Sequence, residues 1–109
     1  MLLNANLAYL EPNKVRDYLL SPNHTVGRFK SVVFTALGYT QENWPLLRDD
    51  LLMLARTRGA VIGQNSVYGQ KYEVSGRLIG PNGRSAQFMT VWLVRPEEPA
   101  PKFVTAFPG

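Results

Sequence analysis

The sequence contains no cysteine and a single histidine, and these two scarcities exclude several kinds of site. Without thiolates, the chain can form neither a disulfide framework nor a cysteine-based zinc site. With one imidazole, a zinc site would need several carboxylates close together, and the sequence shows no such cluster. We therefore expect no metal ion and no cofactor.

A basic leader and long apolar runs are also missing. The N-terminal segment, residues 1–7, is mildly apolar. It is much shorter than the roughly 20 apolar residues that a membrane-spanning helix requires, and it lacks the charged start of a signal peptide. We therefore expect no membrane partner, and we predict a cytoplasmic protein.

The chain does contain enough apolar material for one folded domain. Its 109 residues are 45% hydrophobic, and no internal repeat or low-complexity segment divides them. This predicts a single domain over residues 1–109 with one core. The formal net charge is +4 and the isoelectric point is about 9.7. Such a charge suits nucleic acid, an anionic membrane or an acidic protein, and does not choose between them.

The most informative segment is residues 23–30, Asn-His-Thr-Val-Gly-Arg-Phe-Lys. It places His24, Arg28 and Lys30 within seven residues of one another. The pattern predicts that a loop turns into a helix here, and the exposed N–H groups of a helix start favour phosphate. A lone histidine is as often structural as catalytic. Two cations beside an imidazole, however, suit the handling of a phosphodiester.

Two of the three helices predicted in the first half have recognisable ends. The first begins near Pro12, which is well placed in a first turn, and ends at residues 21–23, Ser-Pro-Asn. The third begins either at Thr40, with a hydrophobic staple, or at Asn43. Pro45 suits the second start better, because it then falls in the first turn.

The second predicted helix carries an apolar stripe at helical spacing and stops at Gly38. Arg28, Lys30 and Ser31 lie off this stripe, so the two basic residues can face solvent or a ligand. Its members are Phe29, Val32, Val33, Ala36 and Leu37.

After Gly59 the pattern changes to strands. Residues 80–83, Gly-Pro-Asn-Gly, predict a hairpin turn, and residues 96–101 predict a loop. The apolar or alternating segments predicted as strands are residues 60–62, 71–78, 86–94 and 103–107. The predicted fold class is therefore α+β, with three N-terminal helices followed by an antiparallel sheet of about four strands.

Helices on one face of this sheet would leave the other face open to a ligand. Lys71 and Arg77 point to the same side of their strand, which is typical of a solvated or ligand-binding face. Threonine and tryptophan in strands are usually structural. We nevertheless predict that the distinctive residues of the second helix start and those of the strands share one concave surface. They are His24, Arg28, Lys30, Thr90, Trp92 and Thr105.

Short motifs in a fixed order resemble a family of small bacterial domains of unassigned function. The match covers nearly the whole chain: His24, Gly27 and Lys30, then Phe34 and Gly38, and then residues 68–72, 80–84, 90–92 and 103–107. Members resemble the C-terminal toxin tips of polymorphic toxins and occur beside a small neighbouring gene. The family is similar to the barnase–EndoU–colicin–RelE (BECR) ribonuclease superfamily, whose core is helices followed by a four-stranded antiparallel sheet.

The resemblance implies a ribonuclease toxin in which the 2′-hydroxyl of RNA attacks the neighbouring phosphate without a metal ion. Such a reaction needs a base, an acid and charge stabilisation. The family motif implies His24 as acid or base and Lys30 as its partner, with Thr105 as a third catalytic candidate. A second proton-transfer group is not evident. The candidate substrate-binding residues are Arg28, Thr90, Trp92, Lys71 and Arg77.

The same resemblance implies two partners. One is RNA, with tRNA as a candidate, and the other is an acidic antitoxin or immunity protein. The alternative hypothesis is a non-catalytic module that binds RNA or an acidic protein, for which a single histidine is sufficient.

Overall fold

The computed structural model describes residues 2–25 and 28–109, with only the backbone described at Phe29. Gly27 of the predicted motif, and the place of Phe29 in the predicted stripe, lie outside the described residues. The sheet is antiparallel in the order β1-β2-β3-β4, so the predicted α+β class is confirmed. The elements are a 3₁₀ turn Ala5–Leu7, α1 Pro12–Lys14, a π-helical segment Val15–Leu19, α2 Arg28–Thr35, α3 Trp44–Thr57, β1 Ala60–Ser66, β2 Gly69–Ile79, β3 Ser85–Arg95 and β4 Glu98–Pro108.

The core lies between the helices and one face of the sheet. Phe34 of α2 stacks on Phe88 of β3 with 4.8 Å between ring centroids, and Trp92 meets Phe103 edge to face at 5.3 Å. All four rings are buried. Aromatic pairs of this kind contribute about 0.5–1.5 kcal/mol each beyond the burial of their area. They hold α2 and β4 against the same strand.

The first helix is wound in two ways. It begins at Pro12 as predicted, and at Val15 it passes into the π-helical segment. There the Leu20 N–H donates to the Val15 carbonyl at 2.9 Å, five residues earlier. Such π turns are rare and often lie at functional sites. Leu19 is buried, whereas Tyr18 is only half-buried and lies at the rim of the core.

The buried face of α2 differs from the predicted stripe. Val32 is 70% exposed, whereas Ser31 is 3% exposed. The prediction that Ser31 lies off the buried face is therefore wrong, because the residues that face the core are Ser31 and Phe34 of α2 and Leu37 just after it. The Ser31 hydroxyl donates to the Arg28 carbonyl at 3.0 Å, which satisfies it inside the protein.

α3 begins at Trp44 with Pro45 in its first turn, so the helix start at Asn43 is correct and the start at Thr40 is wrong. The Thr40 hydroxyl accepts from the Asn43 N–H at 3.1 Å, and the Asn43 amide oxygen accepts from the Thr40 N–H at 2.6 Å. This reciprocal pair closes the turn before the helix.

No helix of the described chain is long and apolar enough to cross a bilayer.

The connection between β3 and β4 is shorter than predicted. The prediction of a loop over residues 96–101 is wrong, because β4 already begins at Glu98. Glu98 pairs with Arg95 in the strand register, and their side chains form an ion pair of 3.1 Å. Prolines within the predicted loop are compatible with a strand because β4 is at the edge of the sheet.

The outer edge of β4 is partly covered by the N-terminal segment. The Tyr9 N–H donates to the Pro101 carbonyl at 3.0 Å, and the Phe103 N–H donates to the Tyr9 carbonyl at 3.0 Å. Backbone groups of an edge strand otherwise invite pairing with another chain. The N-terminal segment therefore protects this part of the edge.

The β2–β3 turn packs tightly against the end of α2. The Asn82 amide donates to the Ala36 carbonyl at 3.0 Å. A Cβ added at Gly80 would lie 1.9 Å from the Leu37 carbonyl oxygen, whereas a Cβ added at Gly59 would meet nothing within 4 Å. Gly80 thus permits the close approach of two backbones.

We expect Gly80→Ala to lower the free energy of unfolding by about 1–3 kcal/mol, since the turn or the helix end must shift to admit the methyl group. The matched variant Gly59→Ala should change it by less than about 0.5 kcal/mol. Urea denaturation of both variants measures the difference. Equal stability of the two would contradict this account of the turn.

Candidate functional site

Three parts of the chain meet at the hydroxyl of Thr105 on β4. Lys30 Nζ of α2 donates to Thr105 Oγ1 at 2.5 Å. The same oxygen lies 3.4 Å from the hydroxyl of Tyr18, which the π-helical segment supplies. The Lys30 ammonium is also 5.4 Å from the centre of the Tyr18 ring and 5.8 Å from that of Phe107. The structure thus brings together Lys30 and Thr105, two of the predicted catalytic residues.

The third predicted catalytic residue, His24, contacts the same tyrosine. Its ring meets the Tyr18 ring edge to face, with 5.0 Å between centroids. The His24 carbonyl accepts the Arg28 N–H at 3.1 Å, which ties the histidine to the start of α2. His24 is exposed and lines a pocket of about 400 Å³ together with Lys14 and Tyr18. The imidazole is therefore accessible to a ligand.

Positive charge surrounds the Tyr18 ring. Lys14 Nζ lies 5.5 Å from the ring centre, in addition to Lys30. Burial by itself would raise the pKa of Tyr18. Hydrogen bonding by Thr105 and Lys30, with the charges of Lys30 and Lys14, outweighs burial and holds the pKa of Tyr18 below its ordinary value. The phenol is therefore a stronger acid than a free tyrosine.

Thr105 also borders a second pocket, of about 240 Å³, on the sheet face opposite the core. Lys71 and Glu73 of β2 line it, together with Phe107 of β4. Lys71, a predicted substrate-binding residue, therefore lines the same pocket as Thr105. Thr105 connects this open-face pocket to the group formed by Lys30 and Tyr18.

Thr90 and Trp92 lie in the core instead. Both side chains are 0% exposed. The Thr90 hydroxyl donates to the Val74 carbonyl at 2.7 Å and accepts from Trp92 Nε1 at 2.8 Å. The prediction that they share an exposed surface with His24 is wrong. Thr105 pairs with Val91, and neighbouring residues of a strand face opposite sides, so Thr90 and Thr105 occupy different faces.

The two predicted arginines have different surroundings. Arg28 is exposed at the first residue of α2, two positions before Lys30. Arg77 donates to the Ser85 hydroxyl at 2.9 Å and lines a separate pocket with Asp50. The structure therefore places Arg28 next to the candidate site and Arg77 in another pocket.

Tyr18 is a residue of the site that the sequence analysis did not predict. A signal was available, because Lys14 and Tyr18 are four residues apart and such positions are neighbours on a helix. The contact of Tyr18 with Thr105, which is 87 residues away, cannot be read from a local sequence pattern. Within residues 2–25 and 28–109, no group of three or more histidine, cysteine or acidic side chains could hold a metal ion.

The chain belongs to the family described as domain of unknown function DUF6883, which it matches over residues 1–109. A solved structure with the same fold is the contact-dependent growth inhibition toxin–immunity protein complex from Klebsiella pneumoniae 342. The match has a TM-score of 0.71 at 16% sequence identity and covers 96% of each chain. At this identity the likeness shows the fold alone. No curated protein matches the sequence significantly.

We expect Lys30→Met to raise the pKa of Tyr18, because the variant removes a hydrogen bond and a positive charge that favour the phenolate. The matched variant Lys102→Met removes a cation of β4 that is paired with Glu11 at 2.8 Å, and it should leave Tyr18 unchanged. Titration followed by NMR of isotope-labelled tyrosine ring carbons measures both. An unchanged Tyr18 pKa in Lys30→Met would contradict the proposed coupling.

Proposed function

We propose that this domain is the toxin of a toxin–antitoxin or toxin–immunity pair, and that it cleaves RNA in the cytoplasm without a metal ion. The observation that carries the proposal is the accessible cationic group in which Lys30 binds Thr105 and His24 contacts Tyr18. The fold shared with a toxin–immunity complex supports it, and a BECR-type ribonuclease is the form of toxin that we propose.

In this reaction, the ribose 2′-oxygen attacks the neighbouring phosphorus and the bond to the next 5′-oxygen breaks. A cyclic phosphate and a 5′-hydroxyl result. His24 takes the proton of the 2′-hydroxyl as general base. The Lys30 ammonium, which Thr105 holds, stabilises the negative charge that grows on the phosphoryl oxygens. Neither role needs a metal ligand.

In this proposal three other cations bind the substrate. Arg28 at the start of α2 would contact the scissile phosphate, where helix N–H groups also favour an anion. Lys71 in the open-face pocket would hold the adjoining backbone. Arg77, in its separate pocket, would contact the strand further away. Thr90 and Trp92 have no part in this proposal, because both are buried.

The charge of the domain favours the toxin over its inhibitor. A ribonuclease must attract an anionic substrate, and the net charge of this chain is +4. An inhibitor that covers an RNA-binding surface needs the opposite charge, because complementary potentials speed association. We therefore propose an acidic immunity protein or antitoxin as the partner, and RNA, with tRNA as one candidate, as the substrate.

The alternative is a non-catalytic module that binds RNA or an acidic protein. The single histidine favours it, since the reaction above needs both a base and an acid. Cleavage is the observation that separates the two functions.

We expect His24→Ala to keep its fold and to lose RNA cleavage by about 10²–10⁴-fold, the usual effect of losing a general base. An exposed substitution usually changes stability by less than about 0.5 kcal/mol. Purified protein is incubated with total RNA and with tRNA in the presence of EDTA, and cyclic phosphate ends are measured. Glu97→Ala, in the exposed β3–β4 turn, is the control.

A folded His24→Ala variant with full activity would exclude the catalytic role of the histidine. An unfolded variant would show that His24 is structural. If the unaltered protein binds RNA without cleaving it, the non-catalytic function is correct.

We expect the product of the adjacent gene to be acidic and to block cleavage by covering the surface around His24 and Lys30. Size-exclusion chromatography of the co-expressed pair should show a complex that weakens as salt rises, since surface charges are screened. Lys14→Glu should weaken it more than Arg84→Glu, which alters an exposed residue of the β2–β3 turn. The absence of a complex at either salt, or a complex that still cleaves RNA, would contradict this partner.

A further inference from the structure

The proposed reaction has a base but lacks an acid. When the bond between phosphorus and the 5′-oxygen breaks, the departing oxygen needs a proton. His24 is occupied as the base in the same step, and the sequence contains no second histidine. A titratable side chain beside the scissile phosphate can supply this proton.

Tyr18 lies between the two groups that the reaction uses. Its hydroxyl is 3.4 Å from Thr105 Oγ1, which in turn binds Lys30 Nζ. Its ring is in edge-to-face contact with His24 at 5.0 Å. A phosphate that is bound by Lys30 and attacked under the control of His24 is therefore close to the phenolic oxygen.

The charged groups that face Tyr18 favour loss of its proton. Lys14 approaches it from the first helix and Lys30 approaches it from α2. The His24 ring of the following loop and the uncharged Thr105 hydroxyl of β4 also face it. Asp17 contributes a carboxylate to the pocket that Lys14, Tyr18 and His24 line. It is engaged in an ion pair of 3.0 Å with Arg16, which offsets its charge.

We propose that Tyr18 is the general acid of the reaction and donates its phenolic proton to the 5′-oxygen as the P–O bond breaks. One proton passes from the 2′-hydroxyl to neutral His24, and one passes from Tyr18 to the leaving oxygen. An imidazolium and a phenolate result, and exchange with water restores both. This inference rests on the proposed ribonuclease function.

The surroundings of Tyr18 suit a phenolate that forms during each turnover. The Nζ atoms of Lys30 and Lys14 lie 5.4 and 5.5 Å from the centre of the Tyr18 ring, where they stabilise the negative charge. Against the effect of burial, the hydrogen bond with Thr105 and these two lysines lower the pKa of Tyr18, as described above. A free tyrosine is a weak acid near neutral pH, with a pKa of about 10, so this stabilisation is needed for the role.

The test compares two RNA substrates that differ only in the leaving atom. One has the natural 5′-oxygen, and the other has sulfur at that position, which departs without a proton. We expect Tyr18→Phe, which keeps the ring against His24, to slow cleavage of the oxygen substrate by about 10²–10⁴-fold and to leave the sulfur substrate nearly unaffected. His24→Ala should slow both. Tyr68→Phe is the control because it removes a hydroxyl from a tyrosine that is 74% exposed.

Each outcome supports or excludes Tyr18 as the general acid. Full activity of Tyr18→Phe on the oxygen substrate would exclude Tyr18 as the acid, and equal losses on both substrates would make it a positioning residue. If the unaltered protein cleaves neither substrate, the ribonuclease function fails as well. RNA-binding anisotropy and thermal melting of Tyr18→Phe confirm that the variant is folded.

A fluorinated tyrosine at position 18 keeps the test valid if Tyr18→Phe does not fold. The acid must be protonated, so the rate falls as pH rises through the pKa of Tyr18. Fluorine lowers that pKa, and the alkaline fall in rate should move to lower pH. A rate–pH profile that stays in place would overturn the assignment.

Discussion

The hydroxyl of Thr105 is the contact on which the candidate site depends. Lys30 and Tyr18 reach it from positions 75 and 87 residues away in the sequence, so their meeting exists only in the folded chain. A hydroxyl can accept from an ammonium and donate to a phenol at the same time. A side chain of the same shape without the oxygen would leave the Lys30 ammonium and the Tyr18 phenol without their common partner.

Two threonines on neighbouring strands show how the sheet separates stability from chemistry. Thr90 points into the core, where Val74 and Trp92 satisfy both hydrogen-bonding capacities of its hydroxyl. Thr105 points to the opposite face, where its partners are a lysine and a tyrosine beside solvent. The residue type is the same, and the face of the strand decides the role. Changes in the core network and changes in the site should therefore affect different properties.

Local patterns predicted much of the fold, because helix ends and turns depend on nearby residues. The first helix begins at Pro12, and residues 80–83 form a turn, both as predicted. The error over residues 96–101 has a tertiary cause, since an edge strand accepts prolines that an isolated pattern assigns to a loop. The site was only partly predictable: His24 and Lys30 belong to one short motif, whereas their connection through Tyr18 required the register of β4 against the helices.

The π-helical turn has a consequence for comparing this domain with its relatives. A turn that spans five residues holds one residue more than an α-helical turn, and each residue turns the helix by roughly 100°. In a relative whose first helix is regular, the side chain that faces the outer strand would come from the neighbouring sequence position. A structural superposition would therefore identify the residue equivalent to Tyr18, whereas a sequence alignment would point to a position one residue away.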